Sequence, residues 1–444
     1  MSVVEPERTS LNPKADHLCV LVHGLWGTPS HLDYLAKSLR EKHAEDKLNI
    51  LVAKSNSGTY TYDGIETGGE RVTQEVEELL EQLIQAGTPI AKLSIVGYSL
   101  GGLIARYAIG LLYSKGWFEK IKPINFTTFA TPHLGVRTPL RGYHSQLWNA
   151  FGARTLSVSG RQLFTIDTFR DTNRPILSVL ADPSSIFIRA LSEFKTRNLY
   201  ANIINDRSAP YYTTAIASTD PFVDLDAVDI RPLKSHSPTI LDPDNPVSPK
   251  STKEPLPPFY TRLSSDGQSL LTRIPLYTAL IALIPVATVA WTINSGIQSF
   301  RSNKRIQLHE QGKGLDGYRI PLLMNGNSAR SAVGGAFRRV NSAHGQDYLP
   351  ESQDDDSDEG AGEDLPKLEL KRTSSRKADF PTLALSDEQF EMIRSLDKVG
   401  FKKYLVHIKN HRHTHAAIIV RMQKPGFDEG KVVVRHWLDE AFEL

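Results

Sequence analysis

Leu93-Ser94-Ile95-Val96-Gly97-Tyr98-Ser99-Leu100-Gly101-Gly102-Leu103-Ile104 decides how the rest of this 444-residue chain is read. The run Leu93–Val96 reads as a buried parallel strand, Gly97–Gly101 as a sharp turn and Leu103–Leu112 as a helix. In that setting G-x-S-x-G has mechanical meaning. The turn forces its serine into a strained conformation exposed at the top of a sheet, and the glycines at 97 and 101 let strand and helix approach closely. Ser99 is therefore the candidate nucleophile. The helix that begins there aims its N-terminal dipole and the Leu100 amide at any oxyanion formed nearby. A glycine-rich turn without chemistry is the competing reading.

Working outward, the same alternation recurs. Leu18–Val22 reads as a strand ending at His23-Gly24, and Thr28-Pro29-Ser30 opens a helix through about His43, with Thr28 as cap and Pro29 at the first helical position. A strand follows at Leu48–Ala53, an amphipathic helix at Glu66 to Ala86 with Val72, Val76, Leu79, Leu80 and Leu83 on one face, and another strand at Ile124–Ala130. Repeated βαβ units imply an α/β fold with a mostly parallel sheet covered by helices on both faces. The loop His23-Gly24-Leu25-Trp26-Gly27 after the first strand is the place for a second oxyanion donor, the Leu25 amide. A plain tight turn with a buried Trp26 fits it as well.

A serine needs a histidine to take its proton and an acid to orient that histidine. In this arrangement the chain order is serine, acid, histidine. Asp206 follows the strand-like Leu199–Ile204 and is the first candidate for the acid; Asp182, after Ile176–Leu180, is its rival, and Asp220 and Asp224 are weaker. The base is sought in His411-Arg412-His413-Thr414-His415, expected in a loop between strands at Tyr404–Ile408 and Ala416–Val420. His415 is preferred to His413, and His407 and His436 read as packed or solvated. Alternation places His411, His413 and His415 on one side of an extended chain, so a metal site is conceivable, but no CxxC or HExxH element accompanies it. Nothing calls for a metal or an organic cofactor.

Composition bounds the rest. Lys and Arg total 52 against 50 Asp and Glu, so no nucleic-acid partner is indicated. Cys19 alone excludes an internal disulfide framework and suits a reducing compartment. The first residues, MSVVEPERTSLNPKADH, have no apolar core like that of a signal peptide. The expected organisation is a tail at 1–16, a first core part at 17–230 with a lid about 137–175, and a linker at 231–270. An apolar membrane-associating segment at 271–305 follows, then a return segment at 306–350, a disordered acidic linker at 351–385, and a second core part at 386–444 carrying the histidine. A final helix is expected at about Val433–Phe442.

Ile274 to Phe300 holds no charged residue, long enough to cross a bilayer. A single crossing would separate Ser99 and Asp206 from His415, and Pro275 and Pro285 interrupt the run. A hairpin or in-plane anchor is therefore expected, with both ends on the cytoplasmic side of a membrane or lipid droplet.

LVHGLWGTPSHL, TYDGIETGGERV, IVGYSLGGLIARYAIG, FATPHLGV, LYANIINDRSAPYYT and THAAIIVR together resemble the fungal branch of a family of serine esterases and cytosolic lipases, whose yeast members include a lipid-droplet phospholipase. The resemblance implies the α/β-hydrolase fold, a triad of Ser99, Asp206 and His415, and hydrolysis of acyl esters of glycerolipids. Position 98 is Tyr where such lipases commonly have His, and 209 is Ala where Val is frequent; neither is expected to do chemistry. An acyltransferase or thioesterase of the same fold, or a catalytically silent membrane-attached interaction protein, stays open.

Overall fold

The computed structural model describes residues 11–88, 90–137, 157–250, 293, 296–309, 311 and 380–444. Residues 138–156 of the expected lid, most of the uncharged run and all of the acidic linker up to residue 379 lie outside the described residues.

Six strands form one sheet: β1 (His17–Val22), β2 (Leu48–Val52), β3 (Lys92–Tyr98), β4 (Lys122–Phe129), β5 (Thr196–Asn202) and β6 (Lys402–Val406). Their order is β2-β1-β3-β4-β5-β6, and every pairing is parallel. Side chains alternate across such a sheet, and β1 divides accordingly. Leu18, Val20 and Val22 enter a core with α2 (Gly64–Gln85), α3 (Leu100–Ser114), α4 (Ile186–Glu193) and α5 (Asp387–Val399). Cys19 and Leu21 enter a second core beneath α1 (Asp33–Lys42) and α6 (Asp428–His436). Burial on both faces explains why these strands read as continuous apolar runs. This is the α/β-hydrolase fold, with the Gly97–Gly101 turn joining a central strand to a central helix.

Several expectations are corrected. Thr28 makes no side-chain cap; its hydroxyl pairs with Ser30 Oγ at 2.7 Å, and a 3-10 turn at Pro29–Leu32 precedes α1. The last strand spans Lys402–Val406, and Ala416–Val420 is not a strand: Thr414–Ala417 is one helical turn. Ala416, Ala417, Ile418, Ile419 and Val420 are all buried, so their run of apolar residues carried no period to distinguish turn from strand. Ile176–Leu180 is a short helix, and the chain's last helical stretch starts at Asp428 and closes with a π turn at Trp437–Ala441.

The described part of the expected linker is packed. Val228–Ile230 pairs antiparallel with Val247–Pro249. Ile240 bridges Val406, and the Leu241 amide donates to Leu405 O at 2.9 Å, so this stretch seals the edge of β6. On the C-terminal side the described chain is already packed before 386: Thr382 bridges Thr219, and Leu383 is buried.

Buried histidines give the fold a pH dependence. His17 hydrogen-bonds Ser94 Oγ at 2.7 Å, His436 bonds Tyr200 OH at 2.8 Å, and burial pushes each pKa down to about 4. Between that value and the ordinary 6.5 the unfolded chain binds more protons than the folded one, so stability rises with pH across this window and falls on acidification. The thermal midpoint is expected to drop by roughly 5 °C or more from pH 7 to pH 5. A flat midpoint over that range would contradict it.

Candidate active site

Ser99 follows β3 directly and has φ 56° and ψ −129°, a conformation costly for a residue with a Cβ. Its amide is held by Phe129 O at 2.9 Å, and the Gly102 amide donates to Ser99 O at 3.1 Å. Close approach maintains the turn: a Cβ at Gly97 would stand 2.3 Å from Gly102 Cα, and one at Gly101 would stand 2.2 Å from Val22 O. The hydroxyl is thereby aimed out of the sheet.

The second element is the loop between β6 and the 414–417 turn. Thr414 Oγ1 donates to Ile204 O at 3.0 Å, which draws this loop against the end of β5. His415 Nε2 then lies 2.9 Å from Ser99 Oγ, and His415 Nδ1 lies 2.9 Å from Asp206 Oδ2. The chain from serine to carboxylate is continuous across 316 and 209 residues of sequence separation. The Asp206 side chain is only 2% exposed. Its Oδ1 accepts from the Ser208 and Ala209 amides at 3.0 and 2.9 Å, and Asn202 Nδ2 donates to its Oδ2 at 3.0 Å. Three donors besides the histidine hold the carboxylate in one orientation. The pair of imidazole and carboxylate fixes which ring nitrogen carries the proton and leaves Nε2 to accept from the serine.

The third element is the loop after β1. A Cβ at Gly24 would stand 2.6 Å from Ser99 Cβ, so this turn directly abuts the serine. Gly24→Ala is accordingly expected to reduce any Ser99-dependent activity at least about tenfold, through displacement of the loop rather than loss of a functional group. The Trp26 amide is taken by Thr61 Oγ1 at 3.0 Å and the Gly27 amide by Gly24 O at 3.0 Å; the Leu25 amide stands before them in the same turn. Leu100 is the first residue of α3, so its amide is one of the helix's unsatisfied donors. Trp26 is not buried. At φ 55° it is turned outward, 51% exposed, with Nε1 donating to Tyr62 OH at 2.7 Å.

The rival residues are engaged elsewhere. Asp182 binds Arg174 Nη1 at 2.5 Å and Ser184, while Asp220 and Asp224 cap the turns at Phe222 and Asp226. His413 donates its amide to His411 Nδ1 at 2.9 Å, and the His411 ring packs edge-on against Phe427. Among the described residues no group of three or more His, Cys, Asp or Glu is arranged to hold a metal. His407 and His436 are buried. Beside His415 opens a cleft of about 350 Å³ lined by Arg207, Ser208, His411, His413, Arg421 and Lys424 among others, with no acidic residue among the described lining.

Residues 12–219 match the family described as "Putative serine esterase (DUF676)". That segment holds Ser99 and Asp206, while His415 comes from beyond the matched residues. The chain is similar to "Putative lipase C4A8.10" of Schizosaccharomyces pombe, 32% identical over 47% of this chain and 27% of that protein. It is also similar to "Putative lipase ROG1" of Saccharomyces cerevisiae, 32% identical over 55% of this chain and 35% of the relative. It thus spans about a third or less of these two relatives. With "Putative lipase YDR444W" of Saccharomyces cerevisiae, the likeness is 25% over 97% of this chain and 66% of the relative. Among solved structures, the RedJ thioesterase of Streptomyces coelicolor aligns with 48% of this chain and 76% of its own, at 20% identity and a TM-score of 0.25.

One participant in the site was not foreseen. Tyr98 OH donates to the backbone oxygen of His415 at 2.9 Å, and the two rings lie 5.2 Å apart. Tyr98 therefore positions the histidine from behind without touching the reacting atoms. Tyr98→Phe leaves a buried carbonyl unpaired and is expected to lower kcat/KM by about tenfold, equivalent to about 1.4 kcal/mol. Full activity in that variant would remove Tyr98 from the site. Asn202, inside β5, is the other unforeseen participant; in sequence it reads only as a polar residue interrupting a strand.

Proposed function

We propose that the protein hydrolyses acyl esters of glycerophospholipids through an acyl-enzyme on Ser99. The observation that carries this reading is the unbroken hydrogen-bonded chain from Ser99 Oγ through His415 to the buried Asp206 carboxylate, set on a strained turn. Ser99 Oγ attacks the ester carbonyl as its proton passes to His415 Nε2. The carbonyl oxygen becomes an oxyanion facing the Leu25 and Leu100 amides. Collapse breaks the ester bond, and His415 returns the proton to the departing glycerol oxygen. Water, deprotonated by the same nitrogen, then attacks the acyl-serine, and fatty acid leaves with Ser99 regenerated.

The cleft beside His415 supports a phosphate-bearing alcohol over a neutral one. Arg207, Arg421 and Lys424 line it, and guanidinium and ammonium groups suit phosphate oxygens. Attachment to a membrane or lipid-droplet surface is part of this reading. The described chain on either side of the uncharged run lies on one domain, which favours an in-plane or hairpin segment. Among the described residues no helix is long and apolar enough to cross a membrane.

The test is fatty-acid release by the full chain from phosphatidylcholine and phosphatidylglycerol vesicles, triacylglycerol emulsion and an acyl thioester. Release from phospholipid at ten times or more the rate from triacylglycerol supports the reading. Preference for the emulsion or the thioester would replace the substrate class and keep the mechanism.

A further inference from the structure

Residues 296–309, where the uncharged run ends, form a helix whose polarity is reversed relative to an ordinary surface helix. At 100° per residue, Gln298, Ser302, Arg305 and His309 share one face. That polar face meets the protein. Ser302 is fully buried, and its hydroxyl donates to Asp63 Oδ1 at 2.6 Å. Arg305 reaches Asp63 through Nε at 3.0 Å and Nη2 at 2.7 Å, bonds Thr59 O, and stacks over Tyr60. His309 Nε2 lies 3.0 Å from Glu70 Oε2. Arg71 holds the same Asp63 carboxylate at 2.8 Å, so two guanidinium groups and a hydroxyl converge on one fully buried acid.

The opposite side is mainly apolar and faces solvent. Ile297, Phe300 and Leu308 are 46, 73 and 59% exposed, with the exposed cation Lys304 among them and the exposed cation Arg301 at their edge. Water would select the reverse arrangement, and an isolated exposed leucine needs no explanation, but three large apolar residues on one exposed face do.

We propose that this stripe is a docking face for the surface of a phospholipid membrane, clamped to the esterase domain by Asp63. It deepens the reading of the protein as a lipid-surface enzyme and rests on that reading. Three observations select lipid as the occupant. The stripe lies at the end of a run of 27 residues without a charge, Arg301 and Lys304 suit anionic headgroups, and the turn the helix packs on carries the half-exposed Tyr60 and, through Tyr62, holds the half-exposed Trp26, residue types that settle at a membrane interface. The clamp also gives docking a fixed geometry. Asp63 ends the Gly58–Tyr62 turn, whose Thr61 receives the Trp26 amide and whose Gly58 amide donates to Gly27 O at 2.7 Å. A surface that holds the helix therefore holds the loop that abuts Ser99.

Cys19 is the only cysteine and is fully buried, so a new surface cysteine accepts a dye at one place. Phe300→Cys and, on α1 in the opposite layer, Lys37→Cys are labelled in the full chain with an environment-sensitive fluorophore. Both are mixed with phosphatidylcholine/phosphatidylglycerol vesicles carrying a nitroxide on the lipid chain. The dye at 300 is expected to shift blue and be quenched at least threefold more than the dye at 37. Equal, water-like signals from both dyes on vesicle-bound protein would overturn the proposal, as would absence of vesicle binding. A shift at 300 that follows protein concentration without lipid would assign the stripe to a second copy of the chain and overturn it too. Fluorophosphonate labelling of Ser99 in the same samples tests the hydrolase reading separately, because the dye signal does not depend on turnover.

Discussion

Ser99→Ala is expected to lower kcat on acyl esters by at least about 10³-fold with the fold unchanged. The hydroxyl is the group on the Gly97–Gly101 turn that lies against His415 Nε2, at 2.9 Å, while the Tyr98 hydroxyl is engaged with the His415 backbone oxygen. Alanine keeps the Cβ and the same φ of 56°, so backbone strain and the contact with Gly24 persist, and the thermal midpoint should stay within roughly 2 °C. Whatever rate is left would come from substrate binding and the Leu25 and Leu100 amides. A variant that is folded and retains more than a tenth of the rate would show that another nucleophile operates.

Asp206→Asn is the second large effect, and it acts without removing any atom from contact with substrate. Asp206 accepts from four donors: His415 Nδ1–H, Asn202 Nδ2 and the Ser208 and Ala209 amides. An asparagine oxygen can still serve the two backbone amides at the Oδ1 position. Its amino group then faces both Asn202 Nδ2 and the histidine, donor against donor. Relief requires the imidazole to move its proton to Nε2, which leaves no base for Ser99. A fall in kcat of about 10⁴-fold with KM little changed is the expected outcome, read from steady-state kinetics on a soluble short-chain ester. An equal rise in KM would indicate that the loop after β5 had simply come apart, and near-normal kcat would remove Asp206 from the mechanism.

Where the sequence was legible, two signals agreed. The β1 and β3 runs are mainly apolar and buried from Leu18 to Val22 and from Leu93 to Tyr98 because both faces of the sheet are covered, and glycines stand at or just after each where the chain has to turn sharply, so strand, turn and helix could be read together. Asp206 could be placed because it follows a strand, and His415 because it stands late in the chain near an apolar stretch. The errors have a common origin in burial without period. Ala416–Val420 is buried on all sides, and its composition cannot separate a helical turn from a strand. A buried Trp26 was one reading of its loop, yet its positive φ, accompanied by the hydrogen bond from its amide to Thr61 Oγ1, turns the ring outward. The docking of residues 296–309 was hidden for another reason. Ser302, Arg305 and Asp63 are ordinary surface types, and only their meeting across some 240 residues makes them a buried cluster.

The most direct test of the central claim is where a fluorophosphonate attaches to the wild-type 444-residue chain. The covalent chemistry of Ser99 predicts one adduct per chain, mapped by peptide mass to the segment containing Gly97–Gly101 and absent after Ser99→Ala. No adduct on folded protein, or an adduct on a different serine, would contradict it and leave the hydrogen-bonded chain from Ser99 to Asp206 as structure without catalysis.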